Sequence, residues 1–325
     1  MRILFAFFSL LLVGCQNTPP PITPDFAFVG VNVIKVSTGE ITPDQIVMID
    51  GDRIVATGDF ATTTIPNDVT TVFAEGQYLM PGLMDSYVYD FRPREGSSDD
   101  FLEEPPNEPT KKLTEDLKLE PSIQLTNEPT KEPTKEPSQH QVQNSISTRL
   151  PLFVAHGVTR IRGTVKGTGT ELGSLVDAQQ RLKNSSSLIH PVIISTDSMI
   201  DGQASARVHE VEVPVLTGSD SPNNCLTPGA SLICKLIRMA DSGLTNLEVL
   251  QTATLNPALA FTGEQREVET GQSAELILLG KNPLENLDAL HHLEGVYLNG
   301  QWLDRAVLKQ IKETAKQHAS NQTSD

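Results

Sequence analysis

Cysteine and positive charge are both scarce in this chain, and each scarcity removes a class of function. Three cysteines in 325 residues exclude a disulfide-scaffolded domain, which needs dense cysteine to staple a small core. Lys and Arg number 25 against 41 Asp and Glu, leaving a formal net charge of -16. That balance excludes a nucleic-acid binder, because phosphate contact needs clustered Lys and Arg. It also excludes a basic patch as the means of holding a membrane surface. No apolar run approaches the roughly 20 residues that a bilayer-spanning helix requires. Nucleophile elbows of the Gly-any-Ser-any-Gly kind are absent, as are His-Glu-any-any-His pairs and P-loops. Gly163 to Gly173 holds several glycines but a single lysine, Lys166, and lacks phosphate-loop spacing.

What is present begins at the first residue. Arg2 supplies a short positive start, Ile3 to Val13 is almost unbroken apolar sequence, and Gly14-Cys15 closes it with small residues. This is the layout of a cleaved secretory signal. Leu12-Val13-Gly14-Cys15 resembles the lipobox of bacterial lipoproteins. The resemblance implies cleavage before Cys15, lipidation of its thiol, and anchorage in the cell envelope. Gln16 in the following position, in place of Asp, points to the outer membrane facing the periplasm. With Cys15 lipidated, Cys225 and Cys234 remain; an oxidising compartment permits a disulfide between them, and two buried thiols are the equal alternative.

Composition then divides the chain. Residues 1-15 are the signal and 16-25 (QNTPPPITPD) a Pro-rich tether. Residues 26-80 read as short strands, with Asp50-Gly51 a hairpin turn. Residues 93-145 repeat the unit Glu-Pro-Thr-Lys at 108-111, 128-131 and 132-135. With few large apolar residues, that stretch cannot offset its chain entropy, and it reads as a disordered linker. From 146 to 264 helices and strands alternate. The predicted strands are Val158 to Arg162, Pro191 to Ser195 and Val213 to Thr217. The predicted helices are Leu150 to His156, Ser174 to Lys183, Ala230 to Asp241 and a capped one from Thr245, with Glu248 three residues on. Strands return at Ala274 to Leu279, Gly295 to Leu298 and Gln301 to Leu303, and 311-325 is a polar tail.

Several segments, in order, resemble the amidohydrolase superfamily, and most closely its imidazolonepropionase-like and prolidase-like branch. Gln77 to Asp85 (QYLMPGLMD) is similar to the lead into the first barrel strand. Ala155 to Arg162 (AHGVTRIR) is similar to the second-strand segment. Val213 to Pro222 (VPVLTGSDSP) resembles the last strand, and Gly243 to Ala258 the helix pair after it. Gly271 to Ile277 and Asn282-Pro283-Leu284 resemble the closing motifs. The resemblance implies a β-sandwich built from 26-80 and 265-310. It implies a (β/α) barrel from 81-92 and 146-264, whose strand ends hold one or two divalent metals. A metal-bound water of lowered pKa is the nucleophile in that plan.

Two departures alter the expectation. The family's first strand ends His-any-His, both metal ligands, where this chain has Tyr87 and Tyr89. A phenol with a pKa near 10 is a poor ligand at neutral pH. The barrel segments also total only about 130 residues against roughly 250 for a complete barrel. Strands one, two, three and eight have counterparts; four to seven, with their ligands, do not. Asp220 alone remains of the metal set, as a vestigial catalytic position. Lys235 stands where the family usually has a Glu. The seven histidines at 140, 156, 190, 209, 291, 292 and 318 show no metal spacing and read as isolated surface residues. The expected protein is a truncated amidohydrolase-type fold, α/β plus β. It is lipid-anchored and non-catalytic, without cofactor, and two copies can pair their open halves as a homodimer. The alternative is a hydrolase of carbon–nitrogen bonds other than peptide bonds, with zinc or another divalent metal held around Asp220.

Overall fold

A computed structural model describes residues 23–88, 149–163, 191–195, 214–219 and 227–322. In chain order its strands are β1 (Phe26–Lys35), β2 (Glu40–Asp50), β3 (Arg53–Asp59), β4 (Thr70–Phe73), β5 (Tyr78–Pro81), β6 (Leu83–Val88), β7 (Val158–Gly163), β8 (Val192–Ser195), β9 (Leu276–Leu279), β10 (Leu293–Leu298) and β11 (Gln301–Asp304). The labelled helices are α1 (Ala230–Asp241), α2 (Asn246–Thr252), α3 (Leu255–Thr262) and α4 (Arg305–Gln322). The described residues 149–155 are also helical.

Eight strands from both ends of the chain form one mixed sheet, ordered β11-β10-β9-β5-β1-β2-β3, with β4 pairing β1 beside that path. Its tight turns follow from residues that tolerate positive φ: Gly51 (φ +56°) joins β2 to β3, and Asn299-Gly300 (φ +53° and +74°) joins β10 to β11. The sheet curls on itself. β1 and β10 are three strand steps apart, about 14 Å in a flat sheet. Yet the Phe26 and Tyr297 rings lie 4.9 Å apart, and Phe28 meets Trp302 of β11 at 5.2 Å. One end is also closed by backbone. Gly271 N–H donates to Ile54 O (2.7 Å) and Ala274 N–H to Asp52 O (2.7 Å), which ties the approach to β9 onto β3. The aromatic cluster, with Val31, Val47, Ile49 and Leu278, fills the inside of the curl.

A second sheet is parallel, ordered β6-β7-β8. The chain passes into it from β5 through Gly82, where a Cβ would collide with the Thr159 side chain. Helix 149–155 then leads into β7 through Gly157 (φ +79°). The helices bury their apolar faces, with Leu150, Phe153, Leu232, Leu236 and Leu250, against β6, β7 and the near side of the curled sheet, including Ile277 and Val296. At the start of α2 the predicted capping box forms: Thr245 Oγ1 accepts from Glu248 N–H, and the Glu248 carboxylate accepts from Thr245 N–H at 2.8 Å.

One strand expectation is corrected. The described part of Val213 to Thr217 belongs to no ladder. It does run beside β6, since Ser86 N–H donates to Thr217 O (3.0 Å). But Thr217 N–H turns away to Thr252 O (3.0 Å), and Ser219 N–H goes to the Asp85 carboxylate (2.8 Å). A side chain and a helix end take the donors that a strand pair would need. The predicted helix Ser174 to Lys183 lies outside the described residues.

Candidate functional site

The late end of a parallel strand is where sheets of this kind present side chains to a ligand. On β6 that end carries Asp85 and Tyr87. Asp85 is fully buried, at 0% exposure, in a strand that is otherwise mostly apolar. Its carboxylate accepts Ser219 N–H at 2.8 Å, the Ser219 hydroxyl at 2.5 Å and Tyr87 N–H at 3.3 Å. Burial pushes Asp85 up to about 6, against the pull of those hydrogen bonds and of the Lys235 ammonium. Gly218 makes the arrangement fit: a Cβ there would overlap the Tyr87 backbone nitrogen and Cβ. Lys235, exposed on α1, reaches over this rim and donates to Gly218 O at 2.5 Å.

The divalent metal that the resemblance implies can be tested against these donors. Both Asp85 oxygens are committed to Ser219 and Tyr87 donors, Tyr87 offers a half-buried phenol, and the nearest cation is an ammonium. Among the described residues, no three His, Cys, Asp or Glu side chains come together in a metal-holding group. The described residues do not fit a metal. Tyr89, Asp220, Cys225 and Cys15 lie outside the described residues, as do His140, His190 and His209. Cys234 is half-buried on α1.

The reading of every histidine as a surface residue is corrected at His156, which is 5% exposed. Its Nδ1 lies 2.8 Å from Leu152 O, one turn back. Burial, aided by Lys312, lowers its pKa to about 3, so the ring is neutral and closes the helix end before Gly157. His291, His292 and His318 are exposed, as expected.

Sequence reasoning missed a second charged centre, at the junction of the two sheets. Arg160 on β7 grips Glu275 with two bonds, Nε to Oε2 (2.7 Å) and Nη2 to Oε1 (2.9 Å), and reaches Glu264 through Nη1 (2.9 Å). Arg266 donates to Gly82 O (3.0 Å), to Glu275 O and to Glu275 Oε2 (both 3.1 Å). Burial works against the Glu275 charge, but Arg266 and Arg160 outweigh it and hold the carboxyl below its usual range. Burial lowers Arg266 to about 10, so it stays cationic at neutral pH. The available signal was Arg160 and Arg162 at alternate positions of β7, with Glu275 directly before β9.

No protein-family model matches the chain, and no curated protein does. Solved structures do. Molinate hydrolase superposes with a TM-score of 0.58 at 11% identity, over 87% of this chain and 95% of its own. A Xaa-Pro dipeptidase with methionine bound in its active site gives 0.59 at 12% identity, over 86% and 99%. Phenylurea hydrolase B gives 0.55 at 14% identity, over 88% and 98%. The likeness is one of fold: a mixed α/β chain with a large sheet, similar to the amidohydrolases.

Proposed function

We propose that this chain, built on an amidohydrolase-like fold, is a lipid-anchored envelope protein that has ceased to be a metal-dependent hydrolase. The curled sheet is read as the family's β-sandwich, from 26-80 and 265-310. The parallel sheet with segment 214–219 is read as what remains of its barrel, from 81-92 and 146-264. The observation that carries the proposal is the Asp85 rim. Where strand one of the family presents metal-binding histidines, this chain presents Tyr87. The nearest carboxylate, Asp85, spends its oxygens on Ser219 and Tyr87 backbone and hydroxyl donors. A carboxylate held in this way closes the strand end instead of opening it to a cation. Lys235 at the same rim adds positive charge, which disfavours a metal further. The anchor is the lipid at Cys15, the location the periplasmic face of the outer membrane, and self-pairing the completion of the half-barrel.

A second reading is favoured by the solved neighbours, which are hydrolases by name: hydrolysis of carbon–nitrogen bonds other than peptide bonds, with zinc or another divalent metal around Asp220. Elemental analysis of the purified full-length protein separates the two. The expected result is zinc, manganese and iron far below one per chain. Stoichiometric zinc that disappears in Asp220→Ala overturns the first reading and establishes the second.

A further inference from the structure

We infer that Phe73 and Phe60, which flank the covered outer face of the β3-β2-β1-β4 region, seat on the surface of the bilayer that holds the lipid anchor. The inference rests on the proposed lipidation of Cys15 and goes beyond it by assigning an orientation and a contact surface. Three large apolar side chains are exposed among the described residues, and two of them are Phe73, at 76%, and Phe60, at 52%. Both border one face. Parallel pairing sets Phe73 beside Val29 on the same side of the sheet, and Val29 pairs across with Ile46. Ile46 pairs in turn with Gly58, two residues before Phe60. Between the two rings Val29 and Ile46 are covered by Ile65 and Val69, which are themselves only partly buried. The cover stops short of Phe73, on a strand that pairs with β1 alone among the described strands.

The chain itself indicates the occupant. Asp25 O accepts Thr70 N–H at 3.0 Å, so the tether ends on the first residue of β4. Phe73 lies three residues further, about 10 Å away. The ten residues 16-25 span at most about 35 Å when fully extended. A lipid at Cys15 therefore holds the starts of β1 and β4 within about 35 Å of the bilayer, and an exposed phenylalanine on β4 gains by entering its boundary layer. Charge narrows the surface further. Exposed Asp25, Asp59, Asp68 and Glu75 lie at or within two residues of the ends of β1, β3 and β4, so anionic headgroups repel this region and zwitterionic phospholipid suits it.

The test is a Phe73→Trp variant of the full-length protein, reconstituted in phosphatidylcholine vesicles with brominated acyl chains, beside a Leu259→Trp control on α3. Trp302, packed against Phe28 inside the curl, is the shared internal reference. Labelled fatty acid that is incorporated in the wild type and lost in Cys15→Ser establishes the anchor separately. A ring seated in the boundary layer loses about half or more of its added emission to bromine, while the control keeps its emission. Lipid incorporation without quenching at position 73 overturns the seat and leaves the anchor standing. Concentration-dependent dimers that vanish in Phe73→Ser would give the face to a second copy, which also overturns it. No incorporation at Cys15 removes the anchor and the seat together.

Discussion

Two largely buried carboxylates, one bound beside Gly82 at the entry to β6 and the other three residues further along, meet opposite electrostatic fates. Glu275, at the junction of the sheets, lies between two guanidinium groups and keeps its charge; its acidity is enhanced. Asp85, at the rim, meets an amide, a hydroxyl and a weaker amide contact, with one ammonium across the rim that it does not pair with directly, and its pKa rises to about 6. Burial acts on both in the same direction. What differs is the partner: full opposite charges in a bidentate fork offset desolvation, while neutral donors offset only part of it. The junction is therefore a fixed ionic joint, and the rim is a site whose charge depends on pH.

The comparison breaks most visibly if the joint is opened. Glu275→Ala leaves Arg160 and Arg266 buried without their shared counter-charge. Uncompensated buried charge of this kind costs about 3–5 kcal/mol. Denaturant unfolding of the variant is expected to show that loss. A loss below about 1 kcal/mol would mean that water reaches the arginines, as it does at surface pairs.

The next effect is the opposite pH response of the two carboxylates. Asp85 holds its proton more tightly in the folded state (about 6 against an ordinary 3.8). Between those values the folded chain carries a proton at Asp85 that the unfolded chain has released, so the Asp85 contribution to stability falls as pH rises from about 4 to about 6. The span corresponds to about 3 kcal/mol. Glu275 behaves the other way: its contribution is present above the ordinary glutamate range and is lost as pH falls through its depressed folded value. Asp85→Asn keeps the shape and removes the titration. His156, neutral in the fold, gives wild type and variant the same opposite slope, so the quantity to read is the difference between them. The unfolding free energy of the wild type minus that of Asp85→Asn is expected to fall as pH rises from 4 to 7, and parallel curves would refute the assignment of that slope to Asp85.

The smallest change sharpens the geometry of the rim. A methyl at position 218 meets Tyr87 backbone, which cannot rotate away as a side-chain tip can. Gly218→Ala is expected to cost about 1–3 kcal/mol by overpacking. Because it separates segment 214–219 from β6, it also stretches the Ser219–Asp85 contact. A melting shift accompanied by a change in the Asp85 pH slope supports this coupling. A shift with an unchanged slope would mean the two are independent.

Much of the fold was legible because it rests on local chemistry. Asp50-Gly51 and Asn299-Gly300 need left-handed backbone, and the hairpins lie where those pairs are. Thr245 and Glu248 form the capping box from residues three apart. The alternation of Phe26 and Phe28 with Ala27 and Val29 gives β1 two apolar faces, and both are buried. The site was less legible. Asp85 was visible as part of a motif, but its role depends on Ser219, 134 residues away in sequence. The ladder expected at Val213 to Thr217 fails because its donors find Asp85 and Thr252 instead, which no local pattern encodes. His156 follows the same logic: nothing near Gly157 reveals that α1 and α4 bring Gly229 and Lys312 against it.

By itself the sequence determined the turns, the helix cap, the alternating apolar faces and the Tyr87 substitution, since each depends on residues within a few positions of one another. Only the tertiary structure decided which of two buried carboxylates keeps its charge. That outcome depends on whether distant segments deliver a guanidinium or an amide to the same few ångströms. Desolvation is set by everything that packs around a group, and packing is a property of the whole fold.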